Sequence, residues 1–154
     1  MESARLPGKP LIKIGNKTLI QRVSEQAIKS KAKEVLVATD SEEIISHCSK
    51  NSINTVLTKS DHATGSDRLA EAVENLNLED DQIIINVQGD EPFIDPDDIN
   101  NLYHLMAERS LNMATLYSTL SVKDITNTDV VKLWVKDDGR VINFSRKLDN
   151  NKPL

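Results

Sequence analysis

The sequence predicts an α/β protein in which a mostly parallel sheet has helices on both faces and carries an antiparallel hairpin. Short apolar runs of the kind found in buried strands recur along the chain, and amphipathic stretches with helical periodicity separate them. Two further short segments flank Asp137-Asp138-Gly139, a pattern typical of a β-hairpin. Alternating strands and helices form parallel sheets because each crossover helix packs back onto the sheet.

Each predicted element has a local reason. The strongest predicted strand contains three consecutive isoleucines, Ile83 to Ile85. Asp40 and Ser41 are good N-caps, and Pro96 stands early in a helix, where a missing N–H costs little. Four helices are predicted. The first covers residues 17–28, the second begins after Asp40 or Ser41, the third includes residues 69–76, and the fourth begins at Asp95-Pro96. The predicted strands are residues 34–39, 55–57, 82–87 and 113–120, with the hairpin strands at 130–135 and 140–144.

Composition excludes several classes of protein. The chain has 154 residues and 24 acidic against 19 basic side chains, so its net charge of −5 argues against a nucleic-acid partner. It contains no apolar run of 18 residues, and we therefore expect no membrane span. Its single cysteine, Cys48, cannot form an internal disulfide, which fits a reducing cytoplasm. We expect a cytoplasmic globular chain.

The first candidate for chemistry is the basic loop at residues 5–11. Arg5 and Lys9 stand four residues apart on a segment stiffened by prolines and opened by Gly8. Arginine offers a planar fork to phosphate oxygens and lysine a compact charge, so this pair suits a polyanion such as a triphosphate. The alternative is an exposed terminal tail with incidental charge.

The second candidate is the acidic turn after the strongest predicted strand. It runs Gln88-Gly89-Asp90-Glu91-Pro92. A carboxylate at the carboxyl end of a buried strand can hold Mg²⁺ against phosphate oxygens, which makes Asp90 a candidate metal ligand. The alternative is an ordinary acidic turn that leads into the next helix.

Two weaker candidates follow. The first is the polar segment that includes Thr64, Ser66 and Arg68. Ser66 can cap a helix there, and the free N–H groups of that helix would bind an anion or the edge of a nucleotide base. Capping alone also explains Ser66. Arg146, after the hairpin, can meet a carboxylate or a phosphate.

Taken together, these segments resemble the 3-deoxy-manno-octulosonate cytidylyltransferases, also called CMP-KDO synthetases. The matching stretches, in the family's order, are RLPGKPL at 5–11, VATD at 37–40, TGSDRLAE at 64–71, NVQGDEP at 86–92, MATL at 113–116 and FSR at 144–146. Related sugar-acid cytidylyltransferases share the first motif but less of the NVQGDEP stretch. The resemblance runs over nearly the whole chain.

The resemblance implies a Rossmann-like nucleotide-diphospho-sugar transferase fold and a homodimer. It also implies transfer of CMP from CTP to 3-deoxy-manno-octulosonate (KDO), with release of pyrophosphate, for lipopolysaccharide biosynthesis. The roles it implies are triphosphate binding for Arg5 and Lys9, Mg²⁺ binding for Asp90, nucleotide positioning for Thr64, Ser66 and Arg68, and sugar-acid binding for Gln88 and Arg146. Of these residues, Lys9 and Asp90 are the predicted catalytic pair.

The match also has departures. Family members begin with an apolar strand that this chain does not contain, and residues 147–154 no longer follow the family pattern. We therefore expect a single incomplete domain over residues 1–154, truncated at both ends. The sequence leaves open an inactive remnant or nucleotide-binding module, and a related enzyme that uses another sugar or nucleotide.

Overall fold

The computed structural model describes residues 8–147. Within them the chain combines helices and strands, as predicted for an α/β protein. It divides into two compact units between Ala114 and Thr115. A single domain over the whole chain stays a prediction.

Helices and strands alternate over the first half of the described residues, and two helices then follow in succession. The helices are α1 Leu19–Ile28, α2 Glu42–Lys50, α3 Gly65–Asn75 and α4 Pro96–Arg109, with single 3-10 turns at Lys9–Leu11 and Val122–Asp124. The strands are β1 Lys13–Ile14, β2 Lys17–Thr18, β3 Val37–Thr39, β4 Thr55–Leu57, β5 Lys132–Val135 and β6 Val141–Ser145. Strands β1 and β2 pair antiparallel, as do β5 and β6, while β3 and β4 pair parallel.

Side-chain caps decide where the helices begin. Thr18 caps α1, so this helix starts two residues later than predicted. Ser41, not Asp40, caps α2, and Asp95 caps α4 as expected. The prediction that Ser66 caps α3 is wrong, because Thr64 is the capping residue. Thr64 has extended backbone, and its side chain accepts a hydrogen bond from the N–H of the third helical residue.

Two predicted strands are wrong for the described residues. Residues 82–87 and 113–120 form no strand, and the run at 34–39 is a strand only over Val37–Thr39. A strand exists where a neighbouring segment takes up its N–H and C=O groups, and apolar side chains alone do not supply that neighbour. Within residues 8–147, parallel pairing is confined to β3 and β4, and Ile84 is still 41% exposed.

The core of the first unit lies between α1 and α2. Its buried members are Ile20, Cys48 and Ile53, and Leu11, Val37 and Ile44 pack against them. Cys48 is fully enclosed, and this burial raises the pKa of its thiol. Enclosing an isoleucine side chain is worth roughly 1.5–3 kcal/mol. This cluster therefore holds the 3-10 turn that ends at Leu11 against α1.

The second unit contains the predicted hairpin. Strand β5 pairs with β6 through Lys132 opposite Ser145 and Leu133 opposite Phe144. Gly139 takes a positive φ of 84° in the turn, a conformation that glycine adopts without strain. The buried Lys132 ammonium donates to backbone carbonyls, including those of Val130 at 3.0 Å and Arg146 at 2.9 Å. These bonds compensate for its removal from water.

In the part of the chain that the structure describes, no helix has the length and apolar character needed to cross a membrane.

Candidate nucleotide site

Lys9 is held in place by the short turn that it begins. Gly8 adopts a left-handed φ of 69°, and its carbonyl accepts a bond from the Leu11 N–H at 2.9 Å. Pro10 stiffens the same turn, and Leu11 packs into the core described above. The Lys9 backbone is therefore anchored, while its ammonium stays partly in solvent.

Asp90 lies in a turn that packs on the same core. The Glu91 N–H donates to the Gln88 carbonyl at 3.1 Å, which closes the backbone around Asp90. A methyl group added at Gly89 would lie 3.9 Å from Cδ1 of the buried Ile20, so this turn rests on α1. That distance is ordinary van der Waals contact. Glycine is therefore not required at this position to make room for Ile20.

The two segments bring their charged groups into contact. The Nζ of Lys9 lies 2.5 Å from Oδ2 of Asp90, and the two side chains are 37% and 47% exposed. An ion pair this exposed contributes at most about 1 kcal/mol to stability. Its importance is geometric, because it places a cation and a carboxylate side by side in reach of solvent. A phosphate chain and a divalent cation could occupy such a position together.

The donor chemistry at Asp90 fits Mg²⁺. Among residues 8–147, no group of three or more histidine, cysteine or acidic side chains gathers at one point. Mg²⁺ is nevertheless commonly bound by only one or two carboxylates, with substrate phosphates and water completing its shell. A half-exposed carboxylate beside a lysine ammonium is compatible with such a partial ligand set.

The amino end of α3 carries three more predicted site residues. Thr64 forms a capping box with Asp67: its Oγ1 accepts from the Asp67 N–H at 3.2 Å, and its own N–H donates to the Asp67 carboxylate at 2.9 Å. Ser66 is exposed in the first turn. The Arg68 side chain, by contrast, is only 12% exposed. Thr64 thus has a structural task whether or not it also meets a nucleotide.

Arg68 links α3 to the ends of both parallel strands. Its Nη1 donates to Oγ1 of Thr58 at 2.5 Å, and its Nη2 lies 3.2 Å from Oδ2 of Asp40. Asp40 directly follows β3, and Thr58 directly follows β4. Desolvation, the largest single effect on Asp40, raises its pKa, but hydrogen bonds and the Arg68 charge together bring the pKa below its ordinary value.

A second cluster fastens the loop before α3. Glu71 Oε2 is hydrogen-bonded to Nε2 of His62, and it also accepts from the Lys59 N–H at 2.9 Å. The hydrogen bond from His62, followed by that from Lys59, lowers the pKa of the Glu71 carboxyl. Both ends of the loop at residues 59–62 are therefore tied to α3.

An open cavity of about 460 Å³ lies at the carboxyl ends of β3 and β4. Asp40 and Thr58 form part of its wall, as do Lys59, Ser60 and Glu71. In open α/β sheets, ligands bind outside the carboxyl ends of parallel strands, so the cavity is in the expected place for one.

The remaining predicted residues are Gln88, Arg5 and Arg146. Gln88 is exposed two positions before Asp90, and Arg5 falls outside the described residues. Arg146 belongs to the second unit, where its Nη1 donates to the Asp129 carbonyl at 2.8 Å. Its role toward a sugar carboxylate stays a prediction.

Sequence reasoning missed Asp40 and Thr58 as members of the site. It treated Asp40 as a candidate helix cap and assigned Thr58 no role. The available signal was position, since each residue directly follows one of two predicted neighbouring strands. Polar residues at that place meet at one edge of a parallel sheet.

Comparison with known proteins assigns the chain to a class. A family model described as cytidylyltransferase matches residues 1–149, so the chain belongs to the cytidylyltransferase family. Two similar curated proteins are 3-deoxy-manno-octulosonate cytidylyltransferases. The one from Herminiimonas arsenicoxydans is 44% identical over 95% of this chain and 58% of its own length. The one from Pseudomonas fluorescens (strain SBW25) is 46% identical over 94% of this chain and 58% of its own.

A solved structure extends the comparison to the fold. A CMP:2-keto-3-deoxy-manno-octonic acid synthetase complexed with CTP superposes with a TM-score of 0.85 at 35% identity, covering 97% of this chain and 63% of that chain. The nucleotide-diphospho-sugar transferase fold predicted from the sequence is thereby confirmed. The chain spans somewhat more than half the length of the curated relatives it matches.

Proposed function

We propose that this chain acts as a nucleotidyltransferase that moves CMP from CTP to 3-deoxy-manno-octulosonate, giving CMP-KDO and pyrophosphate. The observation that carries the proposal is the contact between Lys9 Nζ and Asp90 Oδ2. It joins the two segments for which the sequence predicts triphosphate and metal binding. The names of the relatives and the CTP in the solved neighbour support the choice of both substrates.

The reaction needs no protein nucleophile. The anomeric hydroxyl oxygen of the sugar acid attacks the α-phosphorus of CTP in line. The bond from that phosphorus to the bridging oxygen breaks, pyrophosphate leaves, and the hydroxyl proton passes to solvent. Because substrate and nucleotide are both anionic, their mutual repulsion must be reduced before they can meet. Lys9 does so at the triphosphate, and most of the rate enhancement comes from positioning and electrostatics.

Asp90 is the residue that would hold Mg²⁺, and the bound ion supplies positive charge that neutralises the phosphate oxygens. At the amino end of α3, Thr64, Ser66 and Arg68 are proposed to position the nucleotide. Arg5 is proposed to share the triphosphate with Lys9, while Gln88 and Arg146 contact the sugar acid. These roles follow the family resemblance.

We further propose a cytoplasmic setting, which the single cysteine supports, and a role of the product in lipopolysaccharide biosynthesis. A homodimer is part of the same proposal, because the resemblance implies it. Sedimentation of the purified chain at micromolar concentration tests that part, and a monomer contradicts it.

The central experiment is a coupled pyrophosphate-release assay with CTP, Mg²⁺ and the sugar acid. We expect release that depends on all three components and disappears in Asp90→Asn. Asp138→Asn is a matched control, since it removes a carboxylate from another exposed ion pair, the one with Arg140. Release that survives in Asp90→Asn contradicts the proposed site.

Binding measurements separate the alternatives. CTP binding by calorimetry without any turnover indicates a nucleotide-binding module instead of an enzyme. Competition among CTP, UTP and ATP tests the nucleotide, and a preference for ATP contradicts the assignment to CTP.

A further inference from the structure

We propose that Asp40 and Thr58 are positioning residues that hold the Arg68 guanidinium and, through it, the amino end of α3. The inference rests on the proposed function, because that end of α3 carries the residues proposed to meet the nucleotide. Neither Asp40 nor Thr58 is among the residues for which the sequence motifs predict a nucleotide contact.

The first support is geometric. One planar group bridges two strand ends, with Thr58 on Nη1 and Asp40 on Nη2. The strand ends are themselves joined, since the Thr58 N–H donates to the Thr39 carbonyl at 2.9 Å. Arg68 therefore fastens α3 to a preformed two-strand edge.

The second support is burial. The Arg68 Nη2 atom has almost no contact with solvent, and within residues 8–147 the Asp40 carboxylate, 3.2 Å away, is its compensating partner. Thr58 is also buried, and the Asp40 side chain is only 22% exposed. Removing one partner of such a pair leaves a buried charge uncompensated, which forces the other partner to move.

The third support is the position of Arg68 along α3. It is the fourth residue of the helix, and its N–H bonds the Thr64 carbonyl at 3.4 Å, closing the first turn. A displaced guanidinium therefore pulls on the same turn that contains the Thr64 cap and Ser66. Asp40 and Thr58 also line the cavity at the strand ends, so this movement changes the cavity wall.

The test uses amide hydrogen exchange and CTP binding on the same variants. In Asp40→Asn we expect the Asp67 and Arg68 amides to exchange about tenfold faster without nucleotide, while amides of α1 keep their rates. Thr58→Val, which removes the hydroxyl and keeps the shape, is a second variant with the same expected effect. Asp138→Asn is the control and leaves these amides unchanged.

The binding arm asks whether Asp40 acts through Arg68. Asp40→Asn is expected to weaken CTP binding about tenfold in the unaltered background and to have no further effect in Arg68→Met. Asp40→Glu, which restores the charge, is expected to recover part of the loss. Equal losses in both backgrounds overturn the inference, as do unchanged exchange rates at Asp67 and Arg68.

The two arms also distinguish this inference from the proposed function. If the unaltered chain does not bind CTP, the proposed function fails, while the exchange arm still decides whether Asp40 and Thr58 hold α3.

Discussion

Lys9 and Asp90, 81 positions apart in sequence, form an ion pair in which Nζ lies 2.5 Å from Oδ2. Neither residue is buried, so the pair does little to hold the fold together. The two backbones are instead brought together by the core, because Leu11 and Gly89 both lie against Ile20 or the cluster around it. The contact is thus a consequence of packing that leaves two opposite charges available to a ligand.

We expect removal of the Lys9 charge to weaken CTP binding while leaving the stability of the fold almost unchanged. We expect Lys9→Met to weaken CTP binding by roughly 10- to 100-fold, because a charge-assisted bond to a phosphate oxygen is lost. The free energy of unfolding should change by less than about 1 kcal/mol, since the ion pair is half-exposed. Calorimetry with CTP and Mg²⁺ and urea unfolding measure the two effects. Lys13→Met is the control on a nearby exposed lysine, and a loss of binding of equal size in it contradicts the assignment.

Asp90 should control how binding responds to Mg²⁺. In the unaltered chain we expect CTP to bind more tightly when Mg²⁺ is present, and in Asp90→Asn we expect this difference to shrink strongly. Calorimetric titrations of CTP with and without the ion measure it. An undiminished Mg²⁺ dependence in the variant would place the ion elsewhere.

We expect Ile20 to support both the stability of the fold and the geometry of the candidate site. Because it is buried in the core, Ile20→Ala is expected to cost about 2–5 kcal/mol of unfolding free energy. It should also weaken CTP binding at temperatures where the variant is still folded, since both site segments rest on this cluster. Ile28→Ala, at a residue of the same helix that is 56% exposed, is the matched control and should change neither quantity appreciably. Unaltered CTP binding in the folded Ile20 variant would argue against this coupling.

Thr64 offers a way to separate helix capping from nucleotide contact. Thr64→Ala removes the cap and should cost about 1 kcal/mol of stability. Thr64→Asn keeps a capping side chain but loses the hydroxyl, so its stability should stay close to that of the unaltered chain. If the hydroxyl contacts the nucleotide, the asparagine variant weakens CTP binding at nearly full stability. Undiminished binding in that variant restricts Thr64 to capping.

The lowered pKa of Glu71 predicts that the stability of the chain falls at acid pH, which gives its pH profile an acid limb. Its pKa in the folded chain is lowered from the ordinary value of 4.5, mainly by the His62 hydrogen bond and then by that of Lys59. The folded state therefore binds fewer protons than the unfolded state just below that value, and the Glu71 contribution is fully present above pH 4.5. It is lost as the pH falls through the lowered pKa.

Urea unfolding between pH 3 and pH 6, roughly the range that contains the ordinary carboxyl pKa values, tests this effect. Glu71→Gln should flatten the acid limb, whereas Glu74→Gln, an exposed position on the same helix, should leave it in place. Identical limbs in the two variants would contradict the assignment to Glu71.

The sequence determined the local events of this fold. Apolar periodicity located the four helices of residues 8–147, the Asp95-Pro96 pair marked the start of α4, and the turn at Gly139 marked the hairpin. Motif order determined the family. These features depend on neighbours within a few positions, which a linear pattern contains.

Tertiary structure decided pairing and proximity. The three isoleucines before Asp90 looked like the strongest strand, but no described segment pairs with them, and hydrogen bonding to a neighbour is a property of the assembled sheet. The contacts of Lys9 with Asp90 and of Arg68 with Asp40 likewise join residues from separate segments of the chain. Such contacts arise only when the core brings separate segments together, because the sequence around a side chain does not identify the residue that it contacts.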